Sequence, residues 1–273
     1  MSDVHTGTAP ATRQSGQRNP HGSHIWYELL TTDGEGAKAF YEALVPGWRF
    51  GAPSAEHPGY REINIDGGGH AGGAMQLDDE MLAGGARPVW LGYIGVDDVD
   101  QAVAKVEAKG GKVQLPAFDI PGVGRIAMVT DPQGNPFYVM RGSIDAPSDA
   151  FSATADSHVS WNELATADPV AARRFYGELF GWTSEDFMPM GELGEYRFFA
   201  HNGATIGAVS GCVEGAPAGW RYYIRVPSIT KAAETAKAKG GRITMGPHEV
   251  PGGDHIIIGI DPQGAEFALV GKA

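Results

Sequence analysis

Apolar residues along the chain follow two alternating periods. Runs with an apolar residue at every second position read as half-buried strands; in the first half these carry Ile63 and Ile65, Ile94 and Val96, Phe137 and Val139. Between them lie segments of helical period, one with Ala37, Phe40, Tyr41 and Leu44, another with Val99, Ala102, Val103 and Val106. The first helix of each half starts at an acidic cap, Asp33 or Asp168, and Asp168 precedes a proline suited to the first helical turn. The second helix stops at Gly110-Gly111; its copy, with Ile229, Ala232, Ala233 and Ala236, stops at Gly240-Gly241.

The pattern repeats. WYELLTTD at 26–33 returns as WNELATAD at 161–168, and FYEALVPGW at 40–48 as FYGELFGW at 175–182. VEAKGGKV at 106–113 matches TAKAKGGRI at 235–243, and DPQGNPF at 131–137 matches DPQGAEF at 261–267. Matched blocks in one order, 130 to 136 residues apart, imply a duplication. Each half is itself double, so the architecture expected is α+β: four β-α-β-β-β modules in two domains. The boundaries read as a disordered tail over 1–22, a first domain over 23–142, a linker over 143–157 and a second domain over 158–273.

If the apolar strand positions face the helices, Trp26, Glu28, Tyr60, Glu62, Asn64, Tyr93 and Tyr138 face the other way. A sheet with one face under helices and one polar-aromatic face is a candidate concave binding surface for a small molecule. Composition narrows the partners. The net charge of −12 argues against nucleic acid and anionic membranes. No apolar run reaches the ~18 residues of a membrane span, and the polar N-terminus lacks a signal-peptide core. The expectation is a cytoplasmic monomer or homodimer. The single cysteine, Cys212, excludes an internal disulfide and reads as a small buried residue.

The repeating unit, with FY-x-x-L and GW in its first helix and DPQG before its last strand, resembles the vicinal oxygen chelate superfamily. Glyoxalase I, extradiol dioxygenases and the fosfomycin and bleomycin resistance proteins belong to it. ELLTTD, PAFDIPGVGR at 116–125 and both DPQG turns are similar to its two-domain glyoxalase-like subgroup. The resemblance spans about residues 23–271 and implies concave mixed sheets with helices outside them. It also implies a divalent metal held by His and Glu on the inner face, acting as a Lewis acid on paired substrate oxygens. Counted from the neighbouring motifs, the implied ligand positions hold Trp26, Glu62, Leu91 and Tyr138 in the first half. In the second they hold Trp161, Phe198, Arg221 and Ala268. One carboxylate and one tyrosine fall short of the three or more good ligands a metal needs. His24 and Glu28 flank Trp26, but strand residues four apart lie ~13 Å apart and cannot bind one ion together. The expectation is therefore no cofactor, with a divalent metal as the alternative.

Several residues carry two readings. Glu28 and Glu163 are desolvated pocket carboxylates serving as acid or base, or structural carboxylates paired with backbone or arginine. Arg221, Arg225, Tyr196 and Glu266 converge on an anionic ligand, or form a salt-bridge network with Glu163. Trp26, Tyr60, Tyr93, Tyr138 and Trp161 line an aromatic pocket, or plug a former metal cleft, and Tyr223 shares a face with Arg221 and Arg225. His70, in a glycine-rich run, reads as a hairpin-tip residue. These readings give a binding or sequestration protein for a small aromatic or carbonyl metabolite, or a lyase, isomerase or hydroxylase using Glu28, Glu62 and Tyr138. The third class is a structural protein whose clefts are filled.

Overall fold

The computed structural model describes residues 18–191, 194–213, 215 and 217–273. Residues 1–17 of the expected tail lie outside the described residues. Residues 18–22 are tied down: Gly22 N–H donates to the Gly95 carbonyl at 2.7 Å, and Trp182 Nε1 donates to the Gly22 carbonyl at 2.8 Å.

Four β-α-β-β-β modules follow one another. The first holds β1 (His24–Thr31), α1 (Gly34–Leu44), β2 (Trp48–Phe50), β3 (Tyr60–Ile65) and β4 (His70–Gln76). A short helix, α2 (Asp79–Ala83), leads to the second: β5 (Val89–Gly95), α3 (Val99–Ala108), β6 (Lys112–Ile120), β7 (Gly124–Thr130) and β8 (Pro136–Gly142). The third holds β9 (Val159–Thr166), α4 (Pro169–Phe180), β10 (Phe187–Pro189), β11 (Glu195–His201) and β12 (Ala204–Gly211). The fourth holds β13 (Gly219–Val226), α5 (Ile229–Ala238), β14 (Arg242–Val250), β15 (Asp254–Ile260) and β16 (Glu266–Gly271). Asp33 and Asp168 cap α1 and α4 by accepting from Gly36 and Ala171 N–H, as their sequence positions predict.

Adjacent modules pair. Domain 1 is one eight-stranded sheet, ordered β2-β3-β4-β1-β5-β8-β7-β6, and domain 2 repeats the order with β10-β11-β12-β9-β13-β16-β15-β14. The modules meet where β1 runs antiparallel to β5, and β9 to β13. The helices lie on the sheet faces turned toward each other, and the domains meet there, α1 against α5, α3 against α4 and β5 against β13. One core cluster joins Phe40, Tyr41 and Leu44 of α1 to Ile229, Ala233 and Ala236 of α5. The other joins Val99 and Val106 of α3 to Ala172, Phe175 and Leu179 of α4. Burying each large side chain is worth about 1.5–3 kcal/mol. Separating the domains would expose several of these at once.

Polar groups fix the register of this seam. Tyr41 Oη accepts from Trp90 Nε1 at 3.0 Å and donates to Asp261 of the other domain at 2.9 Å. Reciprocally, Tyr176 Oη accepts from Trp220 Nε1 at 3.0 Å and donates to Asp131 at 3.1 Å. The repeated FY and DPQG motifs are thus the two halves of one reciprocal lock. Tyr27 donates to Asn162, its counterpart, at 2.8 Å. Gly92 N–H donates to Tyr222 Oη at 2.8 Å, and a Cβ at residue 92 would stand 2.7 Å from that oxygen. Glycine at 92 is therefore a close-approach requirement.

Several local expectations change. The β1–β5 ladder shifts between His24 and Trp26, which turns His24 off the Trp26 face into the seam, 5.2 Å from the Trp182 ring and 5.9 Å from Trp220. Burial pushes its imidazole down to about 3, so it is neutral, and neither ring nitrogen has a hydrogen-bond partner among the described residues. Asn64 stays opposite the buried Ile63 and Ile65, and its amide donates to the Arg49 carbonyl at 3.3 Å. Cys212 is exposed, not buried. Between the domains, Ala150 is fully buried and Ser157 N–H donates to the Arg225 carbonyl at 2.8 Å. Among the described residues no helix is long and apolar enough to cross a membrane.

The lock yields a stability prediction. Tyr41→Phe takes the phenol from the Trp90 indole and from Asp261, which keeps its turn's backbone donors, and Tyr176→Phe does the same to Trp220 and Asp131. Each should cost about 1–3 kcal/mol in urea unfolding. Midpoints equal to that of the unaltered protein would show that the hydrogen bonds across the seam contribute nothing.

Candidate functional site

Strand register sets three rows of side chains on the free face of domain 1. Trp26, Tyr93 and Tyr138 align across β1, β5 and β8. Glu62, Gly73, Glu28 and Leu91 align across β3, β4, β1 and β5. Tyr60, Met75, Leu30 and Val89 form the third row. Residue 73 has no room for a side chain: a Cβ there would stand 2.1 Å from Tyr60 Oη, so the Tyr60 phenol lies over the glycine.

A cleft of about 1490 Å³ opens over these rows. Ligand pockets usually fall near ~300–1,000 Å³, so it admits a molecule well above metabolite-fragment size. Its floor is aromatic: Tyr93 and Tyr138 stack with centroids 4.2 Å apart, and Trp26 Nε1 donates to Tyr60 Oη at 3.0 Å. Its rim carries exposed apolar side chains, Met81 on α2, Leu115 and Phe118 on β6, then Val123 and Ile144.

Glu28 lies in this floor, 6 % exposed. Its hydrogen-bond donor is Tyr93 Oη at 3.0 Å. Burial pushes the carboxyl up to about 7, only partly offset by the Tyr93 bond. Burial and the Glu28 charge in turn raise Tyr60, Tyr93 and Tyr138, which stay protonated as donors. Glu62 does not share that environment: its side chain is 57 % exposed at the mouth, 3.6 Å from His70 Nε2. The His70 ring stands 5.9 Å from Trp26 and lines the cleft, beyond its sequence reading as a hairpin tip. Of the expected catalytic trio, Glu28 and Tyr138 come together on the floor and Glu62 stays at the edge.

Domain 2 resolves the same face differently. Glu163 accepts from Arg221 Nη1 at 2.9 Å, Tyr196 Oη at 2.7 Å and Tyr223 Oη at 3.3 Å. Arg221 Nε donates to Glu266 at 2.7 Å, and Trp161 Nε1 to Tyr196 Oη at 2.8 Å. Arg225 points elsewhere, to Asp254 at 2.7 Å. Arg221 and Arg225 therefore do not converge, and the internal salt-bridge network is the arrangement present. The cause is one register position: the cross-strand neighbour of Glu163 is Arg221, while that of Glu28 is Leu91.

The metal positions implied by the sequence do not fit an ion. Leu91 is buried hydrocarbon, and the Trp26 indole is a donor already committed to Tyr60. Tyr138 packs flat on Tyr93, which leaves Glu62 as the one carboxylate. Among the described residues no three His, Cys, Asp or Glu side chains gather as a candidate metal set. The sequence also missed the apolar rim, because a residue at a cleft mouth carries no periodic signature separating it from ordinary surface.

Residues 23–139 and 157–269 each match the Glyoxalase/Bleomycin resistance protein/Dioxygenase superfamily. The chain is 33% identical over 266 residues to CFP32 of Mycobacterium tuberculosis, covering 92% of this chain and 95% of that one. It is 28% identical over 266 residues to the anthracycline biosynthesis protein DnrV of Streptomyces peucetius, covering 91% and 93%. In three dimensions it is similar to the Mn(II)-bound glyoxalase of Novosphingobium aromaticivorans, with a TM-score of 0.62, 19% identity, and 92% and 83% of the two chains covered. Homoprotocatechuate 2,3-dioxygenase of Arthrobacter globiformis gives a TM-score of 0.62 at 16% identity, covering 94% and 81%.

Glu28 makes stability depend on pH. A carboxyl raised on folding from 4.5 to about 7 contributes stability that is complete below 4.5 and lost as pH rises through about 7. The loss is on the order of 3 kcal/mol. Glu28→Gln cannot ionise, so its unfolding free energy relative to the parent should climb by that amount from about pH 4 to about pH 8. Parallel stability–pH curves would contradict the assignment.

Proposed function

The chain belongs to the Glyoxalase/Bleomycin resistance protein/Dioxygenase superfamily, and we propose that it binds a small aromatic or carbonyl metabolite in the cleft of domain 1. The observation that carries this reading is the contrast between its two copies of one sheet face. One is filled by its own ion pairs. The other keeps an open aromatic cleft with a buried carboxyl on its floor. Stacking on Trp26, Tyr60 and Tyr138 would supply affinity, and Glu28 the polar anchor. The likeness to a protein named for anthracycline biosynthesis supports a flat polycyclic body. Domain 2 acts in this reading as the fixed half against which domain 1 is held.

The reading is metal-independent and suits sequestration or detoxification. A second reading keeps the same ligand and adds turnover. It is favoured by the Glu28 carboxyl near 7, where a group both donates and accepts protons at neutral pH. Product formation from a bound ligand, lost in Glu28→Gln with binding retained, would select it.

Two measurements test the proposal. Purified protein, dialysed and analysed for Zn, Mn, Fe and Ni, should hold far below about one equivalent; a stoichiometric ion would sink the metal-independent reading. Trp26→Ala should weaken binding of a planar aromatic probe about tenfold by fluorescence titration, and Trp161→Ala should leave it unchanged. Equal effects of the two variants would move the site out of domain 1.

A further inference from the structure

The two copies of the site differ at one chemically decisive place. Glu28 and Glu163 occupy equivalent positions on β1 and β9, each next to a tryptophan and tyrosines. In domain 2 the carboxylate is satisfied from inside the protein by a planar cation, the Arg221 guanidinium at 2.9 Å. In domain 1 the same cross-strand position is Leu91, and among the described residues no cation acts on Glu28. The copy displays what this cradle takes when it is filled.

The surroundings of Glu28 share that preference. Aromatic faces attract cations through their quadrupoles, most of all tryptophan. Glu28 has Trp26 on its own strand, Tyr60 on β3, Tyr93 on β5 and Tyr138 on β8 around the same cleft. The other titratable groups among the described residues that line the cleft are Glu62 on β3 with His70 on β4 across from it, then Glu56, His57 and Asp149. The guanidinium groups that line the cleft are committed elsewhere. Arg18 stands 2.8 Å from Asp97, Arg141 2.6 Å from Asp145, and Arg87 donates to the Gly85 and Ala86 carbonyls. The net charge of −12 adds a field that draws cations in.

We propose that the cleft of domain 1 is a receptor for an organic cation: a flat apolar body bearing a protonated amino or amidine group that pairs with Glu28 as Arg221 pairs with Glu163. The proposal rests on the binding reading above and narrows its ligand. A buried carboxylate without an opposite charge is costly, and a ligand cation that arrives with its own hydrogen-bond donors offsets that cost. Binding a cation draws the proton off Glu28, so affinity rises as pH climbs through about 7. A neutral carbonyl ligand accepting from the protonated acid would lose affinity over the same range.

The test is a fluorescence titration of the whole protein with three tricyclic probes of similar shape: aminoacridine, a cation; acridone, neutral; and anthracene carboxylate, an anion. At about pH 8 aminoacridine should bind at least about tenfold more tightly than acridone, and the carboxylate least of all. Glu28→Gln should erase most of that ratio. Leu91→Arg, which supplies domain 1 with the internal cation of domain 2, should abolish aminoacridine binding. Equal affinities for aminoacridine and acridone, or a preference that survives in Glu28→Gln, would overturn the proposal and leave the binding reading standing. If no probe binds, both readings fail together. Should Leu91→Arg not fold, the Glu28→Gln comparison decides alone.

Discussion

Two buried chains of hydrogen bonds, Trp90 to Tyr41 to Asp261 and Trp220 to Tyr176 to Asp131, tie the halves of the molecule together. Each begins in one domain and ends at the DPQG turn of the other. A phenol between an indole donor and a carboxylate acceptor in a dry seam has one good geometry, and a stranded partner there costs its full desolvation. The seam therefore admits little sliding. The helices of both domains are locked inside it, and both free sheet faces are forced outward. Both clefts depend on that orientation.

Once the faces point outward, each must be satisfied separately. Domain 2 does so with its own side chains, closing Glu163, Arg221 and Glu266 into an ion triad over Trp161 and Tyr196. Domain 1 has Leu91 where Arg221 stands, Pro136 where Glu266 stands and Tyr138 where Ala268 stands. The carboxyl at its centre is left with one phenol for a partner and is pushed up to about 7. A duplicated fold has thus become one scaffold half and one half with an open cleft. In domain 1 the ligand positions that the superfamily likeness implies hold an indole, a leucine, a stacked phenol and one exposed carboxylate.

Much of this was legible in the sequence, for identifiable reasons. The paired blocks WYELLTTD/WNELATAD and the two DPQG turns announced the duplication, because a repeated packing unit must repeat its buried residues. Period-two alternation placed Trp26, Glu28, Tyr60, Tyr93 and Tyr138 on one face, since a regular strand leaves side chains no other choice. It misplaced His24, where a register shift breaks the alternation. It could not say whether Arg221 meets Glu163 or a ligand, because cross-strand partners depend on register, which the sequence of one strand does not carry. The reciprocal lock was invisible for a similar reason: Tyr41 and Asp261 are far apart in sequence, and their motifs read as local helix and turn signals.

The central claim is that the open, aromatic face of domain 1 holds the ligand and its copy does not. A crystal structure grown with a planar aromatic ligand tests this most directly. The expected result is density for one molecule stacked among Trp26, Tyr60 and Tyr138 with a polar atom on Glu28, and the Glu163–Arg221 pair intact and bare. Density over Trp161 in domain 2, or in the seam between the domains, would contradict it.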